Sequence, residues 1–178
     1  IFIPILWYVL VNNLSIKKSL HKMRLKLENI DNAFLWGVLS AILIFVIFTL
    51  IEYALIAAGI NLEEQSNIDV LDKLYSPIML FFLVSIQPIA EEIFFRGFLL
   101  EKIEGLAGKN VAIISTALLF GIAHMSYGML YPVIFPIIIG LVFGYIVIRT
   151  NNLYSAIIAH VIVNTATYLL YILAKSLI

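Results

Sequence analysis

From Ala33 to Ile60 the chain runs through Leu, Ile, Val, Phe, Trp and Ala, and Glu52 is the one charge that interrupts it. A helix crosses the apolar core of a bilayer with roughly 20 such residues. Comparable runs extend over Pro77 to Leu100, Tyr131 to Ile148 and Leu153 to Ala174. Composition agrees: 63% of the 178 residues are hydrophobic and 12% are charged. A soluble domain of this size could not hide that much apolar surface. The runs also lack the short alternating segments of a membrane barrel. The expected fold is therefore all-α, a polytopic transmembrane helical bundle.

Between these runs the chain reads as short connections. "IFIPILWYVLVNNL" is too short for a comfortable span, and it carries no cleavage motif of a signal peptide. It reads as the end of a helix whose beginning is missing. "SIKKSLHKMRLKLEN" is basic and amphipathic, "NLEEQSNIDVLDKLYS" is an acidic loop, and "EKIEGLAGKN" is expected to be a polar turn. A helix from Val111 should reach His124 and break near "MSYG", and Pro136, Gly140 and Gly144 should loosen the following span. That makes six spans at most, in one membrane domain over residues 1–178.

Charge sets the orientation. Lys17, Lys18, Lys22, Arg24, Lys26, Lys102, Lys109 and Arg149 fall in alternate loops, against Lys73 and Lys175 in the others. The basic side is expected to be cytoplasmic, with the site opening towards it. Each lysine of the Lys17–Lys26 segment gains about 1 kcal/mol against an anionic leaflet. With zero net charge and no broad basic patch, nucleic acid is not an expected partner. The absence of cysteine excludes disulfides, thiolate metal sites and a cysteine nucleophile.

Ionisable groups inside spans are rare, and they mark function or pair with one another. Here they are Glu52, Glu91, Glu92, Arg96, His124 and His160, with Gln87 and Asn164 as amides. Glu92 and Arg96 share a helix face at i, i+4 and can neutralise each other. Glu91 points about 100° away, towards the face of Gln87. His160 and Asn164 are also four apart, on one face of the last span. Glu52 should reach towards the outer surface. Taken singly, each histidine is better explained by helix packing than by chemistry. Depth is a further question, because at the rise of an α-helix His124 lies about 20 Å from Val111 whereas Glu91 lies about 14 Å from Leu100.

If the set cuts peptides, elimination narrows the mechanism. No serine elbow occurs, every lysine lies in a loop or at an end, and Asp31, Asp69 and Asp72 all lie outside the spans. The HExxH zinc signature is absent. Glutamate and histidine acting on water remain. Two histidines and a glutamate also match the ligand count of a zinc site, so zinc stays open as the weaker alternative to a metal-free mechanism.

Three motifs carry a resemblance. "EEIFFR" from Glu91, "FGIAH" from Phe120 to His124 and "HVIVN" from His160 to Asn164 fit EExxxR, FxxxH and HxxxN in that order. Over residues 77–174 the chain resembles the CAAX prenyl endopeptidase and bacteriocin-processing family of intramembrane proteases, which includes the Ras-converting endopeptidase. The resemblance implies that Glu91 activates water with the help of His124, and that His160 and Asn164 stabilise the oxyanion. Glu92, Arg96 and Phe120 would support the site. It also implies a membrane-tethered, prenylated peptide or protein as substrate, losing its C-terminal tripeptide. The other readings are a catalytically silent scaffold or immunity protein of the same fold and, last, a proton-coupled transporter.

Overall fold

The computed structural model describes residues 2–59, 75–125 and 131–177. The described residues form helices and no strands. A short α1 (Phe2–Leu6) continues as a π-turn to Val11, and α2 (Ile16–Lys22) follows. Next come α3 (Ile30–Ala57) and α4 (Pro77–Glu92), a π-helical segment (Ile93–Leu99), α5 (Leu100–Ala107) and α6 (Lys109–Ala123). The bundle ends with α7 (Tyr131–Thr150) and α8 (Tyr154–Ser176). Four of these helical runs are long and apolar enough to cross a membrane: α3, the continuous Pro77–Ala107 helix, α7 and α8. Phe2–Val11 and Lys109–Ala123 are apolar but shorter. The protein is an integral membrane protein, as expected. Most of the acidic loop and of the break at "MSYG" lie outside the described residues.

Along α3 bulk is sorted away from the bundle interior. On α3 the buried residues are mostly small (Ala33, Gly37, Ser40 and Ala41), while Phe34, Leu35, Leu43 and Leu50 face outwards. Lipid is as apolar as leucine, so membrane helices associate through close packing of small residues. At Gly37 a Cβ would lie 2.9 Å from the Ser155 carbonyl oxygen and 3.0 Å from Ile158, so α3 and α8 cross almost backbone to backbone. At Gly140 of α7 a Cβ would lie 2.8 Å from Ala117 Cα of α6. Gly140 and Gly144 were expected to loosen their span. They are instead close-contact points of α7 against α6, where flexibility is held by packing.

The stretch "EKIEGLAGKN" corrects a second expectation. It is no turn as far as Ala107, because the helix simply continues, and the reversal is made at Gly108 with φ 83°. Polar residues 101–104 look like a loop, yet they have partners from the N-terminal segment. Tyr8 donates a hydrogen bond to Glu101, Lys22 pairs with Glu101 at 3.4 Å, and Arg24 pairs with Glu104. On the same face, Asn152 Nδ2 donates to the Lys26 and Glu28 carbonyls at 3.1 and 3.0 Å. These contacts tie the basic segment to both turns on its side of the bundle.

The longer helix also resolves the depth mismatch. Counted from the turn at Gly108, Glu91 lies about 26 Å along one arm and His124 about 24 Å along the other at the α-helical rise. The hairpin brings them level, and their side chains meet.

Replacing Gly140 with Val should overpack the α6–α7 contact and lower stability by about 1–3 kcal/mol. Gly105→Ala, where a Cβ meets nothing within 4 Å, should be neutral or slightly stabilising. Thermal unfolding of the two variants in detergent checks this, and equal melting temperatures would contradict the close approach.

Candidate active site

The EExxxR sequence straddles a change of helix type. Glu91 and Glu92 end α4, and Arg96 sits within the π-helical segment. Such i→i+5 turns are rare and gather at functional sites. Pro88, buried four residues before Glu92, removes one backbone donor just upstream.

Glu92 and Arg96 are both fully buried and pair as expected, Arg96 Nη1 donating to Glu92 Oε1 at 2.8 Å. Three rings receive the rest of the guanidinium. Its centre lies 4.2 Å from the Phe120 ring centroid and 5.7 Å from those of Phe95 and Phe143. Arg96 Nε and Nη2 and Glu92 Oε2 have no hydrogen-bond partner among the described residues. Cation–π attraction, strongest where water is excluded, takes over part of that role. Phe120 therefore has a physical task in its motif: it covers the buried cation, and one turn later His124 emerges with its ring 4.4 Å away.

A link that spacing did not reveal joins this pair to the last helix. His160 is 3% exposed, and its Nδ1 lies 2.8 Å from the same Glu92 Oε1 that accepts from Arg96. A carboxylate paired with arginine can only accept, so Nδ1 of His160 carries the proton. On α6, Nδ1 of His124 lies 2.8 Å from the Phe120 carbonyl oxygen, another acceptor, so it too is protonated there. Each neutral imidazole then has its lone pair on Nε2. Both Nε2 atoms lie 3.9 Å from Glu91 Oε2. Glu91 Oε1 accepts from Gln87 Nε2 at 2.7 Å, which confirms the expected shared face and leaves Oε2 free. At 3.9 Å the three groups are too far apart to bond directly and are spaced to share a water.

Glu91, Glu92, Arg96, Phe120, His124 and His160 thus form one cluster from three helices. Glu91 and His124 are its accessible edge, with side chains 18% and 35% exposed. Asn164 is one turn beyond His160 on α8 and lines a neighbouring groove of about 550 Å³, together with Val163, Thr167 and, on α3, Thr49 and Glu52. Glu52, exposed near the far end of α3, also forms part of this groove. No sequence signal linked it to Asn164, because α3 lies outside all three motifs.

Two imidazoles with Nδ1 tied to an oxygen, facing a carboxylate, have the donor types of a zinc site. The arrangement does not close, however. Among the described residues no three His, Asp or Glu side chains are disposed to hold one ion.

Comparison with known proteins agrees with the motifs. The family model of type II CAAX prenyl endopeptidase Rce1-like proteins matches residues 73–166, more than half of the chain. The chain belongs to this family. No curated protein and no solved structure matches it. The matched segment of this Rce1-like protein holds Glu91, His124, His160 and Asn164, and it leaves α3 with Glu52 outside.

Arg96→Ala leaves a buried carboxylate without its cation and should cost about 3–5 kcal/mol of stability. Glu92→Gln combined with Arg96→Met should recover part of that loss. A double-mutant cycle by thermal unfolding measures the coupling, and additive losses would contradict the pair.

Proposed function

We propose that the protein is an intramembrane endopeptidase in which Glu91 activates water for attack on a peptide bond. The observation that carries this reading is the environment of Glu91: one oxygen is held by Gln87, and the other is faced at 3.9 Å by two imidazole nitrogens. A water there donates one hydrogen to Glu91 Oε2 and the other to His124 Nε2, which directs its lone pair at a substrate carbonyl. Glu91 takes the water proton as the oxygen–carbon bond forms. To stabilise the oxyanion His160 takes up a second proton, on Nε2, while its Nδ1–H stays on Glu92, and Asn164 supplies a second donor from the groove side. The proton on Glu91 then passes to the amide nitrogen as the carbon–nitrogen bond breaks, and the remaining hydroxyl proton follows it to the amine, giving a carboxylate and an ammonium ion. No acyl-enzyme forms.

Family membership supports a CAAX-type substrate: a prenylated, membrane-tethered peptide or protein that loses its C-terminal tripeptide. The Lys and Arg distribution supports a cytoplasmic basic face. The mechanism needs no metal. Purified active protein should contain no stoichiometric zinc and should survive a strong chelator; one tightly bound zinc per chain would overturn this part of the reading.

Incubation of purified protein with a farnesylated CAAX peptide tests the activity. Glu91→Gln should abolish cleavage while the protein remains monodisperse, and near-wild-type turnover would remove Glu91 from the mechanism. Loss of an oxyanion donor in a water-excluded site costs about 10²–10³ in turnover. Asn164→Ala should therefore lower single-turnover kcat on that scale with little change in KM or melting temperature. Asn164→Asp, ionised, should be no better. Early unfolding combined with normal cleavage by the folded fraction would make Asn164 a packing residue.

A further inference from the structure

The groove beside the site has a direction. α3 and α8 touch at Gly37, against Ser155 and Ile158, and beyond that crossing they leave the groove between them. Its walls include Phe48, Thr49 and Glu52 on α3 and Asn164, Thr167 and Leu170 on α8. Both helices run away from the basic turns, so the groove lies deeper than the site when viewed from the basic face. Asn164 stands at the end next to His160. Glu52 stands towards the other end, about 8 Å along the helix from Ala57.

Among the described residues lining the groove, Glu52 is the one that carries a charge. It is exposed, and it makes no ion pair with a described residue. A carboxylate on a membrane-spanning helix is costly unless it meets water or a partner of opposite charge. Every other lining side chain is apolar or an uncharged hydroxyl or amide. The groove can therefore favour a cation, and none of its described lining side chains carries a positive charge. The distance along α8 from His160 to Leu170 is about 15 Å. An extended peptide covers it with four or five residues at about 3.3 Å each.

We propose that Glu52 is a specificity residue: the groove takes the substrate chain on one side of the scissile bond, and Glu52 pairs with a Lys or Arg four or five residues from that bond. The proposal deepens the endopeptidase reading and rests on it. Glu52 acts on binding only, since it lies a groove's length from Glu91 and touches no reacting atom.

Binding to the Glu91→Gln protein in nanodiscs tests this without relying on cleavage. The probes are fluorescein-labelled apolar dodecapeptides with one Lys placed in turn at each interior position, and matched sets with Gln or Glu there. At one or two adjacent positions Lys should bind about tenfold more tightly than Glu, an electrostatic preference of ordinary size for a partly desolvated pair. Glu52→Gln should remove the preference and Glu52→Lys should reverse it, with melting temperatures unchanged. Equal affinities throughout, no binding of any peptide, or a preference that survives Glu52→Gln would each overturn the proposal. A charge preference in a protein whose parent form cleaves nothing would refute the endopeptidase reading alone. Cleavage that depends on Glu91 but shows no charge preference would refute the groove assignment alone.

Discussion

One carboxylate oxygen organises the bundle. Glu92 Oε1 accepts from Arg96 on its own helix and from His160 on α8, both at 2.8 Å and both out of water. Neither bond is secure without the other. Remove the cation and a bare carboxylate is buried; remove the carboxylate and the imidazole loses the contact that fixes its tautomer. Phe120, packed over the guanidinium, extends this core to α6 and so determines where His124 emerges. Packing and site geometry are therefore one arrangement. Glu91, the residue assigned to the chemistry, can remain partly exposed because its neighbour carries the structural burden.

Much of this was readable in the sequence, for definable reasons. Long apolar runs leave few choices of solvent or secondary structure, so α3, α4, α7 and α8 were recognisable to within a few residues. The i, i+4 rule was enough to pair Glu92 with Arg96 and to put Gln87 beside Glu91. What escaped was long-range. The bond between Glu92 and His160 joins residues 68 apart in the chain, and no local pattern announces it. Residues 101–104 looked like a turn because charge normally marks a loop. Their partners Tyr8, Lys22 and Arg24 lie some 80 or 90 positions earlier.

That error about residues 101–107 also produced the apparent depth conflict at His124, which shows how one misplaced helix end propagates. Glu52 is the complementary case. Its charge was noticed, but a lone carboxylate near a helix end has an ordinary explanation until the fold sets Thr49 and Asn164 beside it.

The π-helical segment at Ile93–Leu99 has a consequence for how the protein tolerates change. A wide turn amounts to one residue more than an α-helix would use, so it shifts the angular phase between the helix on either side. Upstream, the phase suits Glu91 and Glu92 to the histidines. Downstream, it suits Glu101 and Glu104 to the basic segment across the bundle. Deleting a single residue inside the segment would let the wide turn close to an α-turn and leave both halves in phase. Deleting one in the α-helix on either side would instead turn one half against the other by about 100°. The segment works as slack between two gears, the one place where a tooth can be lost without disengaging the train.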